Sequence, residues 1–87
     1  MARNDKVCVL GMGFIGLTLA ATLAEAGNKV LGVDVIPEVV DSLQSKKCYF
    51  FEPGLIESVK KYGGKNLTFS TSIEDKSCNY YYMYMYY

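Results

Sequence analysis

The chain has 87 residues, 51% of them hydrophobic and 21% charged, the balance of one small folded domain with a buried sheet rather than of a disordered segment. Its nine basic and nine acidic residues cancel, and the basic pairs Lys46-Lys47 and Lys60-Lys61 each fall near an expected helix end, so no basic stripe for a nucleic-acid backbone is present. Histidine is absent, which removes the commonest general base and metal ligand, and the three cysteines, Cys8, Cys48 and Cys78, share no short spacing, which argues against a disulfide framework and a zinc site.

Residues 1–6 carry no apolar signal-like segment, and no later run is long enough to cross a membrane, so a reducing cytoplasm is the expected location. Lys6–Leu10 is a short apolar, β-branched run ended by Gly11, the pattern of a parallel strand covered on both faces, with Cys8 as a small core residue. Residues 14–26 are rich in Leu and Ala without proline, and predict a helix stopped by Gly27. Leu19 and Leu23 form one stripe on it, Gly16 and Ala20 a small-residue face.

Residues 29–34 predict a second strand, which completes a right-handed parallel crossover. Pro37 suits a first helical turn, with Glu38 and Asp41 near the positive end of the dipole and Val39, Val40 and Leu43 as the buried stripe. Pro53 opens a further helix carrying Leu55, Ile56 and Val59, which Gly63-Gly64 ends. Leu67, Thr68 and Phe69 predict a third strand, and Thr71 and Glu74 have capping-box spacing for a brief helical turn.

The chemistry lies in Gly11-Met12-Gly13-Phe14-Ile15-Gly16, a G-x-G-x-x-G run that follows a strand and opens a helix. In that setting Gly11 permits the tight turn, Gly13 leaves room for a pyrophosphate, and Gly16 lets helix and strand pack closely. The helix-start amides, with their partial positive charge, face the phosphates. Asp34, 18 residues after Gly16, ends the second strand, where a carboxylate can accept hydrogen bonds from both adenine-ribose hydroxyls and repel a 2′-phosphate. NAD is therefore favoured over NADP. An ordinary turn is the bland reading of the glycines, and the strand, helix, strand and Asp34 in register weigh against it.

Residues 80–87, all Tyr or Met, admit several readings: a fourth strand, an altered or truncated end, or a sequence that does not reflect the natural chain. An exposed run of this kind is a sticky edge, so self-association through it is expected, while an aromatic binding platform is disfavoured for want of basic neighbours. Glu52 and Pro53 can serve merely to start their helix, and Tyr49, Phe50 and Phe51 to anchor a loop on the core.

The run from Lys6 to Asp34, the Glu52-Pro53-Gly54-Leu55 motif and the Lys65-to-Thr71 segment (KNLTFST) together resemble the UDP-glucose/GDP-mannose dehydrogenase family. The resemblance implies an α/β, Rossmann-like parallel sheet with flanking helices, of which residues 1–87 supply only the amino-terminal half, about four strands, as a single partial NAD-binding domain. It also implies that Gly11, Met12, Gly13, Phe14, Ile15, Gly16 and Asp34 contact NAD. Family members oxidise the C6 alcohol of a sugar nucleotide to a carboxylate through a cysteine in a downstream domain, and no residue here matches its motif. None of the three cysteines inherits that role, so this segment alone is expected to bind NAD and not to turn over a UDP-sugar. Two departures accompany the match: Val39 stands where many members carry Arg or Lys, and the tail replaces the turn that lines the nicotinamide side. A non-catalytic nucleotide-sensing module and a hydroxyacid or acyl-CoA dehydrogenase are the competing readings, both weakened by the EPGL motif.

Overall fold

The computed structural model describes residues 5–47, 52–73 and 78–83. Four parallel strands, β1 (Lys6–Leu10), β2 (Lys29–Val33), β3 (Leu67–Ser70) and β4 (Tyr80–Met83), form one sheet in the order β3-β2-β1-β4. Helix α1 (Phe14–Glu25) connects β1 to β2, while α2 (Pro37–Gln44) and α3 (Pro53–Tyr62) lie between β2 and β3. The elements expected at each of these places therefore form, in the α/β arrangement expected. Cys48, Tyr49, Phe50, Phe51 and the Glu74 of the proposed capping box lie outside the described residues.

Strand alternation sorts the sheet into two faces. Val7, Val9, Val30, Leu67 and Phe69 point into one core with Leu17, Ala20, Ala21 and Ala24 of α1, Val40 and Leu43 of α2, and Leu55 and Val59 of α3. All three helices thus share one face, as successive right-handed crossovers in one direction require. Of the two faces read on α1, the small-residue one carries this packing, and the Leu19 and Leu23 stripe is only partly buried at the margin of the core. Alanines let the helix axis approach the sheet more closely than leucines would, which is why the small face wins.

Local signals set the ends of the helices. Gly27 has φ 99° and its N–H bonds Ala24 O at 3.0 Å, the left-handed stop that glycine adopts freely. Pro37 and Pro53 occupy first turns, and Lys60 and Lys61 fall in the last turn of α3, where the dipole favours them. Two asparagines brace the lower end of the sheet. Asn66 Nδ2 donates to Ala24 O at 2.7 Å and to Asn28 O at 3.0 Å, and buried Asn28 donates through Nδ2 to Leu23 O at 3.1 Å.

On the second face, Cys8, Leu10 and Val33 are also buried, and Cys8 is joined to Cys78 by a disulfide, with a Cα–Cα distance of 6.1 Å. That separation lies inside the roughly 4.4–6.8 Å that such a bond spans. The cysteine spacing argues against a disulfide framework, and the correction has a topological cause: the return to the far side of β1 brings Cys78, just ahead of β4, to Cys8 of β1, 70 residues away in sequence. Next to it Asn79 N–H donates to Lys6 O at 2.7 Å and Lys6 N–H to Asn79 Oδ1 at 2.9 Å, leading the chain into β4. The Tyr/Met run does form a strand, paired Val7 to Tyr80 through Leu10 to Met83, but an exposed one: Tyr80, Tyr81 and Met83 remain largely open.

Candidate cofactor site

Chain order runs outward from β1 to β2 and β3, then jumps back to place β4 on the other side of β1. The carboxyl end of β1 is therefore the point where strand order reverses, which is where open α/β sheets bind ligands. Gly11 and Gly13 emerge there.

Gly11 has φ 103°, a conformation that strains any side chain, and its N–H bonds Val33 O at 2.6 Å. Its carbonyl sits so close to Gly16 that a Cβ on Gly16 would overlap Gly11 O, which makes glycine at 16 a packing requirement of the turn itself. Met12 is fully buried, and its thioether fills the space above Gly32: a Cβ on Gly32 would stand 2.6 Å from Met12 Sδ and 2.9 Å from Phe69 Cδ1. The turn is thus plugged into the core from beneath. Gly13 differs, being exposed, with φ −69° and ψ −174°, open to any residue, and a Cβ there would meet nothing within 4 Å. The folded chain places no demand on glycine at 13.

Gly13 is also the N-cap of α1, with no side-chain cap and no acidic residue in the first turn. The N–H groups of a first helical turn have no acceptor within the helix, and the partial positive charge gathered there favours an anion. Leu17 N–H, bonded to Gly13 O at 2.9 Å, marks where intrahelical bonding begins. Phe14 and Ile15 are 48% and 58% exposed and flank this end.

Asp34 lies one residue past β2, half-buried, and spans the two loops: Oδ2 accepts Met12 N–H at 2.9 Å and Oδ1 accepts Ile36 N–H at 3.0 Å. A carboxylate has about four acceptor positions, so two hydrogen bonds leave capacity for the hydroxyls of a ribose. The sequence reading placed Asp34 at the site but missed this second task of holding the glycine turn to β2. It also missed Val35 and Ile36, exposed apolar residues directly after Asp34, whose signal was an apolar pair ahead of a helix-starting proline. Met12, counted among the contact residues, can offer only backbone, since its side chain is in the core and its N–H already serves Asp34.

A groove of about 650 Å³ runs between α1 and α3, with Phe14 among its lining residues. Among its described lining residues Glu25, Glu52 and Glu57 stand against one cation, Lys61, a balance that repels phosphates, so the glycine turn and not this groove suits a dinucleotide. Among the described residues no cluster of acidic, Cys or His side chains could hold a metal, and no helix is long and apolar enough to cross a membrane.

Sheet order, glycine turn, bare helix start and Asp34 together define a Rossmann-type dinucleotide-binding unit. Residues 5–84 match the NAD binding domain of the UDP-glucose/GDP-mannose dehydrogenase family, and the chain belongs to that family, with NAD as the cofactor of the matched domain. The chain is 36% identical over 70 residues to the UDP-glucose 6-dehydrogenase AglM of Haloferax volcanii, covering 80% of this chain and 16% of that protein. It is 42% identical over 71 residues to the UDP-N-acetyl-D-mannosamine dehydrogenase of Methanococcus maripaludis, covering 80% and 17%. The structure superposes on the UDP-N-acetyl-mannosamine dehydrogenase Cap5O from Staphylococcus aureus with a TM-score of 0.83 at 32% identity, over 92% of this chain and 19% of that one. The chain thus spans less than a fifth of the length of these relatives.

Proposed function

We propose that residues Gly11 to Gly16 and Asp34 hold the adenosine-diphosphate half of NAD for an enzyme that oxidises the C6 alcohol of a UDP-glucose-like sugar nucleotide to a carboxylate. The observation that carries the reading is the contrast between Gly16, which the fold needs, and Gly13, which it does not. Open space over Gly13, at a helix start without acidic side chains, fits the approach of a pyrophosphate. Asp34 accepts the ribose hydroxyls on the lone pairs that Met12 and Ile36 leave, and its charge disfavours a 2′-phosphate. Phe14, Ile15, Val35 and Ile36 give the apolar parts of the nucleotide exposed surface to cover.

NAD, when bound, supplies the hydride acceptor, and these residues contribute its orientation. They include no candidate for the reacting cysteine: Cys8 is buried within β1 and bonded to Cys78, which lies just ahead of β4 rather than at the glycine turn. The relatives' names divide between glucose and N-acetylmannosamine substrates, and the choice among sugars rests with residues other than these. The test is calorimetry of this chain with NAD and NADP, alongside a turnover assay with NAD and UDP-glucose. Binding of NAD in preference to NADP with no NADH formed is expected. Absence of NAD binding would overturn the site, and NADH formation the division of labour.

A further inference from the structure

The disulfide lies away from the cofactor site, and its two cysteines differ in burial. Cys8 is fully buried in β1, whereas Cys78 is half-buried and lines an open cleft of about 410 Å³ near the amino ends of β1 and β2. Lys6, Lys29 and Lys65 line the same cleft together with Val30 and Leu31, and none of the described residues that line it is acidic. The described lining therefore sets three cations around the more exposed cysteine of the pair, while the other is buried in the strand.

We propose that Cys8–Cys78 is a thiol–disulfide exchange site, entered through this cleft by an anionic low-molecular-weight thiol of the carboxylate-bearing, glutathione-like class. The incoming thiolate attacks Sγ of Cys78, the less buried cysteine. A bond forms between the small thiol and Cys78, the Cys78–Cys8 bond breaks, and Cys8 leaves as a thiolate that takes a proton from water. A second thiolate attacks the sulfur of the small molecule in the mixed disulfide and releases Cys78, so two small thiols become one small disulfide while the protein pair gains two electrons and two protons. The reverse sequence, with glutathione disulfide as oxidant, closes the bond. β4 begins two residues after Cys78 and among the described strands pairs with β1 alone, so the exchange makes and breaks the covalent tie on the outer strand of the described sheet.

Replacing the third cysteine, Cys48→Ser, leaves only the pair to titrate. After equilibration with glutathione disulfide, the folded chain should lose two hydrogen atoms of mass relative to its reduced form and yield a peptide cross-linking Cys8 to Cys78. Two free thiols under those conditions would overturn the proposal. Acid-quenched reduction should trap glutathione on Cys78 and not on Cys8, and the reverse would refute the assigned order of attack. This trapping uses the chain without substitution at the pair, so it does not depend on a Cys8→Ser or Cys78→Ser variant folding. At low salt, glutathione should reduce the bond about tenfold faster, per thiolate, than neutral 2-mercaptoethanol. The advantage should vanish in Lys29→Glu/Lys65→Glu, and its persistence there would rule out the cleft as the entrance.

Discussion

Alanine at Gly13 and alanine at Gly16 should fail in opposite ways. At Gly13 the backbone suits any residue and an added methyl meets nothing within 4 Å. Reduced freedom of the unfolded chain contributes about 0.4–1 kcal/mol in favour of alanine. Loss of glycine at a helix N-cap costs a comparable amount, on the order of 0.5–1 kcal/mol, because alanine is a poor cap. The two offset, so the melting temperature should stay within a few degrees of the parent. The methyl does, however, intrude where the pyrophosphate is to lie. Overpacking of that kind costs about 1–3 kcal/mol, which is roughly a 5- to 150-fold weaker NAD affinity. At Gly16 the methyl would overlap Gly11 O, a backbone atom with nowhere to move, so Gly16→Ala should destabilise the fold by about 1–3 kcal/mol or more. For a domain of this size each kcal/mol is about 4–8 °C of melting temperature. Thermal unfolding and calorimetry on both variants decide the matter. A Gly13→Ala chain that binds NAD as the parent does, or a Gly16→Ala chain of unchanged stability, would refute the reasoning.

Asp34→Ala removes the acceptor for Met12 and Ile36 as well as the ribose contact, so NAD affinity should fall by about 1–3 kcal/mol in calorimetry, and Asp34→Asn should narrow the gap between NAD and NADP. Leu43→Ala, at a fully buried position between α2 and the sheet, should lower stability by about 2–5 kcal/mol in urea unfolding and leave little folded chain. Opening the Cys8–Cys78 bond frees a 70-residue loop, which by chain entropy alone costs about 4 kcal/mol, and comparison of denaturation with and without reductant measures it. β4 is an uncharged outer strand, so the chain should sediment with an average mass that rises with concentration, and Tyr81→Lys with Met83→Lys should suppress that rise.

The strand–turn–helix frame was legible because each part has a local cause: β-branched residues in β1, Gly11 and Gly27 at positive φ, and prolines in the first turns of α2 and α3. The glycine turn and Asp34 were legible for the same reason, since their spacing follows from one helix and one strand. What escaped depends on non-local geometry. The Cys8–Cys78 bond arises from a jump across β1 that no spacing encodes, and the Met12 plug over Gly32 depends on β2 lying beside the turn. Asp34 reads in sequence as a ribose ligand, whereas its bond to Met12 N–H exists only once β1 and β2 are paired. The sequence offers two faces of α1, the Leu19 and Leu23 stripe and the small-residue face, and which one packs is decided by close approach to the sheet, which favours alanine.

The most direct test of the cofactor assignment is a nitrogen-15 NMR titration of this chain with ADP-ribose, and in parallel with nicotinamide mononucleotide. ADP-ribose should shift the amides of Gly11 to Leu17 and of Asp34 to Ile36 together, with a far smaller response to the mononucleotide. Shifts gathered instead along the groove between α1 and α3, at residues such as Thr22, Ser58 and Lys61, would contradict the assignment, as would a chain whose spectrum ADP-ribose leaves unchanged.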